Sequence, residues 1–331
     1  MIVNTTPDLV RNAVSVRTMA NLRMELDRAA QEMATGQRLD TLAATKGRGA
    51  SLFEAKSALD GIEAGRGRMA LIATRYEAAS NALATVRSLA ETVRADAYTA
   101  VSASDGVSGS GFAAEGAKAA LGAAFDAMRT SVQGRAIFAG RDGSGAVVSP
   151  AGDVLADLEA ALAAAPAGTN SATVVSDFFA AGGSFETTHY LGGAEKEGEL
   201  LESGQRLSAM PSAVSASLRE TFSGLSMVAL SADLPPEDRA GLLREGAERL
   251  RAGKDAVIRD EASIGRSLQE VDREAGRLSQ RKLEAETLID SILGRDPFEA
   301  ASEVQALETR LQAAYTIAGR VSQLRFANFL R

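Results

Sequence analysis

His189 is the only histidine in this 331-residue chain, and there is no cysteine. An imidazole-based triad needs a nucleophile and an orienting acid, and a zinc site needs several nitrogen or sulfur ligands. One histidine without a thiol supplies neither, so His189 reads as a surface or partly packed residue. Gly140, Gly143 and Gly145 of GRDGSG are spaced like a phosphate loop, but no GK[ST] follows and no strand–loop–helix unit surrounds them. They read as turn glycines. Asp153, Asp157 and Glu159 gather on a short predicted helix, where acids near the N-terminus are ordinary capping electrostatics. No nucleophile, base and orienter come together, so neither enzymatic activity nor a cofactor or metal is expected. The remaining chemistry is that of interfaces. Arg38 and Arg320, one in each terminal segment, are candidates for ionic contacts with carboxylates of a neighbouring subunit.

Those arginines sit on long periodic segments. Residues 8–35 carry Met19, Leu22, Leu26, Ala29 and Met33 at spacings of three and four, which predicts a helix ended by Gly36. A polar, glycine-bearing stretch follows as a loop or broken helix. From residue 51 to about 100, Met69, Ile72, Tyr76, Ala79, Leu83, Val86, Ala90 and Val93 form a heptad-like seam. Gly61, Gly65 and Gly67 just upstream predict bending or close backbone approach. A turn is predicted over 102–112, then a helix over 112–133 and another over 153–165. Between 174 and 190, Val174, Val175, Phe178, Phe179, Thr187, Thr188 and Tyr190 raise strand propensity and predict one or two hairpins. Helix returns over 203–230 and again from Glu237. Ile264, Leu268, Val271, Ala275 and Leu278 make a strict four–three stripe that Ala285, Ile289 and Ile292 extend. Gly294 and Asp296-Pro297 break it. The last helix carries Val304, Leu307, Leu311, Ala314, Ala318, Val321 and Leu324.

Composition sets bounds on partners. The chain has 31 glycines, 7 prolines, no tryptophan and 5% aromatic residues, which favours slender helical layers over a thick core. A net charge of −7 argues against a nucleic-acid surface, which needs a clustered positive field. No apolar run reaches transmembrane length, so membrane insertion is not expected. The N-terminal MIVNTTPDLVRNAV lacks a basic then apolar leader, so export through a cleaved signal of the ordinary kind is not expected. The predicted class is mainly α: an elongated coiled-coil rod or helical bundle with its terminal helices paired and a small irregular α/β outer lobe. Three parts are expected: 1–40 with 298–331 as proximal paired helices, 41–140 with 201–297 as a helical rod, and 141–200 as the lobe. Apolar stripes at both ends must be buried on each other or on another subunit.

Three stretches carry a family resemblance. MATGQRLDTLAATKGRGASL resembles the N-terminal segment of the bacterial flagellin superfamily, with Ala34 to Leu39 in the place of its "sTGkRi" motif. RAIFAG at 135–140, preceded by Gly134, resembles the "G-x-Y-x-F-A-G" signature of the hook–filament junction branch, although the usual tyrosine is absent. LQAAYTIAGRVSQL in the tail is similar to that branch's "LQaSYxvtaRiSqLSLlnYL" ending. The acidic run that normally follows the TG motif is replaced by TLAATKGRGA. The resemblance covers roughly 10–100, 125–140 and 203–331. It implies an axial structural protein of the bacterial flagellum, secreted through the flagellar type III apparatus and polymerised between hook and filament. Implied partners are further copies in a ring or helical homo-oligomer, the other hook-associated junction protein, flagellin, and a cytoplasmic flagellar export chaperone at the C-terminal helix. A divergent flagellin that forms the filament, and an autonomous helical adaptor, stay open beside it. The assembly surface implied comprises Met19, Leu22, Leu26, Met33 and Arg38 on the first helix and its turn. On the last it comprises Leu307, Leu311, Tyr315, Arg320, Val321, Leu324, Phe326 and Phe329. The ends are expected to order only on assembly, because fixing them costs roughly 1–2 kcal/mol per residue that contacts with neighbours must recover.

Overall fold

A computed structural model describes the backbone of residues 6–102, 107–143, 145–166 and 168–329, and their side chains except 6–12, 107–108, 236–237 and 321–329. The chain is mainly α. In order come α1 (Thr6–Thr35), α2 (Thr41–Thr45), α3 (Gly49–Ser102), α4 (Val107–Met128), a hairpin of β1 (Ser131–Val132) and β2 (Arg135–Ala136), α5 (Ala151–Ala164), α6 (Ser171–Phe178), a π-helical turn (Phe185–His189), α7 (Ala216–Leu230), α8 (Pro236–Leu293) and α9 (Pro297–Phe329). Two compact units result: residues 1–64 with 278–331, and residues 65–277.

In the larger unit the predicted seam of α3 is buried at every position from Met69 to Val93. The upper part of α8 lies against it, tied by Arg87 to Glu261 at 3.1 Å, Lys254 to Glu91 at 3.0 Å and the Tyr98 hydroxyl donating to Glu248 at 2.8 Å. The α8 stripe is offset from the expected one. Ile264, Val271 and Leu278 are buried as predicted, but Ser267 and Glu274 are buried where Leu268 and Ala275 were expected. Helical geometry permits either step, and the local bonds decide: Ser267 accepts from the Ser208 N–H at 3.1 Å and Glu274 pairs with Arg277 at 3.0 Å.

Four phenylalanines knit the middle of this unit. Phe125 of α4 meets Phe222 of α7 edge-on with centroids 5.0 Å apart, and Phe185 lies 5.9 Å from Phe125 and 4.9 Å from Phe179. Such pairs add about 0.5–1.5 kcal/mol each beyond area burial. This packing overturns the strand expectation at 174–190. Val175 and Phe178 fall on one face of a helix capped by the Asn170 side chain, and burying that face outweighs the strand preference of the residues taken singly. The one hairpin among the described residues is β1–β2, and Val148 forms a single bridge to Tyr190.

Three further corrections have local causes. Helix does not span 203–215, where Gly204 has φ +82°, Leu200 bridges Arg206 and Pro211 lacks a donor. Residues 107–111 belong to α4 instead of a turn. The helix α3 runs through Gly61, Gly65 and Gly67, and a Cβ at Gly61 or Gly67 would meet nothing within 4 Å, so close approach does not explain these two.

Candidate functional site

The smaller unit pairs α1 with α9 and closes their ends with a network of charges. The helix α1 is long enough to place Ala29 and Glu32 on the face toward α9, one turn before Gly36 ends it in the left-handed region at φ +68°. The stripe therefore steps from Ala29 to Glu32, leaving Met33 44% exposed where a seam position was expected.

Glu32 organises the turn that follows. Its Oε1 accepts from the Leu39 N–H at 3.0 Å and from Arg28 Nε at 3.1 Å, while Oε2 meets Arg295. Arg295 also reaches Glu303, and both Arg295 and Glu32 side chains are over nine-tenths buried. Burial raises the Glu32 pKa, but the Leu39 N–H, the Arg28 hydrogen bond and the Arg295 charge outweigh it and hold the carboxyl below its ordinary value. Backbone bonds complete the joint: Arg38 N–H to the Leu293 carbonyl at 2.8 Å and Arg295 N–H to the Gly36 carbonyl at 2.9 Å. Beneath it, Ala44, Leu52, Ala55, Ile289, Ile292 and Leu293 form a small apolar cluster. The TG-motif turn is thus held by a buried ion pair that no apolar period could reveal; an acid at Glu32 and a base after Gly294 were its only marks in the sequence.

The implied assembly residues are distributed unevenly. Leu307 is buried, and Met19, Leu22, Leu26 and Leu311 are half-buried along the α1–α9 pair. Tyr315 is 43% exposed and lies under the Arg23 guanidinium, 5.6 Å from its ring centre. Arg38 faces Glu299 of its own chain at 3.8 Å with both side chains largely exposed, and Arg320 is exposed. Val321, Leu324, Phe326 and Phe329 lie on α9, but their side chains fall outside the described residues. Around this pair, Val14, Val16, Met24 and Ile317 are all more than half exposed, as are Leu42, Phe53 and Phe298 elsewhere in the unit. Sequence periodicity passed over these side chains because they stand off the main stripe.

Other candidates resolve as structure. His189 is buried, correcting the expectation of a surface or partly packed residue; its ring lies 5.8 Å from Phe178, and Nε2 is 3.1 Å from Asp157 Oδ2 without hydrogen-bond alignment. Gly140 takes φ +63°, and a Cβ there would collide with the carbonyl oxygens of Gly193 and Ala194. The FAG motif accordingly needs glycine at its end because the 193–194 backbone crosses it. Tyr76 donates to the Ser208 carbonyl at 2.6 Å, and burial, with the Glu199 charge, pushes its pKa to about 12. Among the described residues there is no metal-ligand cluster and no helix long and apolar enough to cross a membrane.

No family model matches the chain, and no curated protein matches it. Among solved structures it is similar to a crystal structure of Bacillus cereus FlgL at 14% identity, over 72% of this chain and 98% of that one, with a TM-score of 0.48.

Proposed function

We propose that this chain is an axial structural subunit of a bacterial flagellum that polymerises at the hook–filament junction, as hook-associated protein 3 does. One observation carries the reading: the terminal helices α1 and α9 pair with each other and still leave Val14, Val16, Met24, Tyr315 and Ile317 facing solvent. Exposed apolar side chains on both paired helices are available for burial by other protein. A tube needs such faces to differ on the two sides of one subunit, so that contacts propagate without closing. The TG-type turn, the FAG motif and the LQAAYTIAGRVSQL tail support the junction branch. In this reading 1–40 with 298–331 form the inner tube, 41–140 with 201–297 the rod and 141–200 the outer lobe. The inner-tube contacts are made by Met19, Leu22, Leu26, Met33, Arg38, Leu307, Leu311, Tyr315, Arg320, Val321, Leu324, Phe326 and Phe329. Copies of this chain, the other hook-associated protein and flagellin are its neighbours, and an export chaperone takes the C-terminal helix by groove burial before secretion.

The test is electron microscopy of hooks from a strain lacking the gene. Bare hooks with flagellin shed into the medium are expected. Filaments of normal length would end the junction role.

A further inference from the structure

From Asp142 to Glu195 the sequence holds seven acidic residues and neither lysine nor arginine, so this segment alone carries a charge equal to the −7 of the whole chain. The rest of the protein is balanced, and its positive charge is not spread evenly. Within the same compact unit an open concavity of about 700 Å³ is lined by Arg75, Arg135, Arg141, Lys196 and Arg206. Two acids share the lining and are already engaged: Glu199 with Arg75 at 3.4 Å and Lys196 at 3.0 Å, Glu197 with Arg206 at 2.9 Å. Asp142 and Glu195 neighbour two of the cations in sequence but do not line the concavity.

Arg135 and Arg141 are exposed and have no ion pair among the described residues. Gly143 makes room for one of them, since a Cβ there would stand 3.3 Å from Arg135 Nε. Unneutralised guanidiniums sharing one concavity raise the local potential and attract an external anion, with planar forks suited to carboxylates. The acidic segment supplies the complement. On α5, Asp153 and Glu159 are exposed and likewise have no ion pair among the described residues, while Asp157 stands beside His189. Donor and acceptor surfaces are therefore both present on one chain and are not joined within it.

We propose that the Arg135–Arg141 concavity docks the exposed acids of α5, Asp153 and Glu159, from a second copy of this chain. The contact rests on the self-assembly proposed above and adds to it a charged joint away from the terminal helices. Because the two surfaces differ, the contact is heterologous and extends into arrays.

Sedimentation velocity of the full chain tests this at about 0.02 M and about 0.5 M salt, where screening of exposed charges differs strongly. The wild type is expected to associate at low salt and lose that association at high salt. Arg135→Glu with Arg141→Glu weakens low-salt association by on the order of tenfold, and so does Asp153→Lys with Glu159→Lys. Mixing the two reversed variants restores it. Arg135→Gln with Arg141→Gln, checked by circular dichroism, serves if a reversed variant does not fold. Wild-type association that is absent or insensitive to salt, or a mixture that restores nothing, overturns the docking site. Polymerisation of the chain without rescue in the mixture would remove this contact and leave the axial-subunit reading standing. Rescue in the mixture with polymerisation unaffected by Leu324→Asp would do the reverse.

Discussion

The Glu32 carboxylate accepts the Leu39 backbone N–H at 3.0 Å, so an acid in the last full turn of α1 closes the turn that leads away from it. Its other oxygen faces buried Arg295. Removing one partner of such a pair leaves the Arg295 charge with Glu303 alone, at up to about 3 kcal/mol. Glu32→Gln is therefore expected to destabilise the terminal-helix unit by up to about 3 kcal/mol in urea unfolding and to speed amide exchange at residues 36–39. An unchanged unfolding midpoint would mean that Arg295 finds full compensation in Glu303.

The same group sets a pH dependence. The folded-state pKa of Glu32 lies below its ordinary value of 4.5. Above 4.5 the carboxyl is ionised in both states and its stabilisation is fully present. As pH falls from 4.5 toward the lowered folded value, the unfolded chain takes up the proton first and the stabilisation is lost. Acid titration of the unfolding midpoint should show this loss below pH 4.5 in the wild type and a shallower one in Glu32→Gln.

Glycines give opposite predictions at two sites. Gly140→Ala is strained by φ +63° and by contact with the 193–194 carbonyls, so it should cost more than about 1 kcal/mol. Gly122, inside α4, would give a new Cβ nothing to meet within 4 Å, so Gly122→Ala should gain roughly 0.5–1 kcal/mol of helix propensity. Thermal unfolding of the two variants should move in opposite directions.

Long periodicity made most of the helices legible. The α3 seam from Met69 to Val93 and the breaks at Gly36 and Gly294–Pro297 fall where spacing and punctuation put them. Short segments were not legible, because tertiary burial decides them: Phe178 and Phe179 favour strand locally, but Phe178 ends helix α6 and Phe179 caps it, packed against His189 and Phe185. Glu32 and Ser267 were missed for a related reason, since each meets a partner, Arg295 or the Ser208 N–H, that only the fold supplies, whereas Glu274 pairs with Arg277 on its own helix. Arg135 and Arg141 had one readable signal, the lack of any lysine or arginine from Asp142 to Glu195 between Arg141 and Lys196.

The terminal pair also differs from the Phe125–Phe222 core in what holds it. Among the described side chains of α1 and α9, the fully buried apolar ones are Ala29, Ala300 and Leu307, while Met19, Leu22, Leu26 and Leu311 are half-buried. A buried leucine or phenylalanine contributes roughly 1.5–3 kcal/mol, and ordering one residue costs roughly 1–2 kcal/mol, so this pair has little surplus as a monomer. Amide exchange on the dilute chain should be fast at 13–31 and 304–320 and slow around Phe125, Phe222 and Leu250. Leu307→Ala should abolish the small protection the pair has in the dilute chain and leave the core unchanged. In assembled material the terminal residues should become protected as well, and Leu324→Asp should block that gain without altering exchange in 65–277. Slow exchange at both ends of the dilute chain would show the pair to be self-sufficient, and its exposed Val14, Met24 and Ile317 would then require a different explanation.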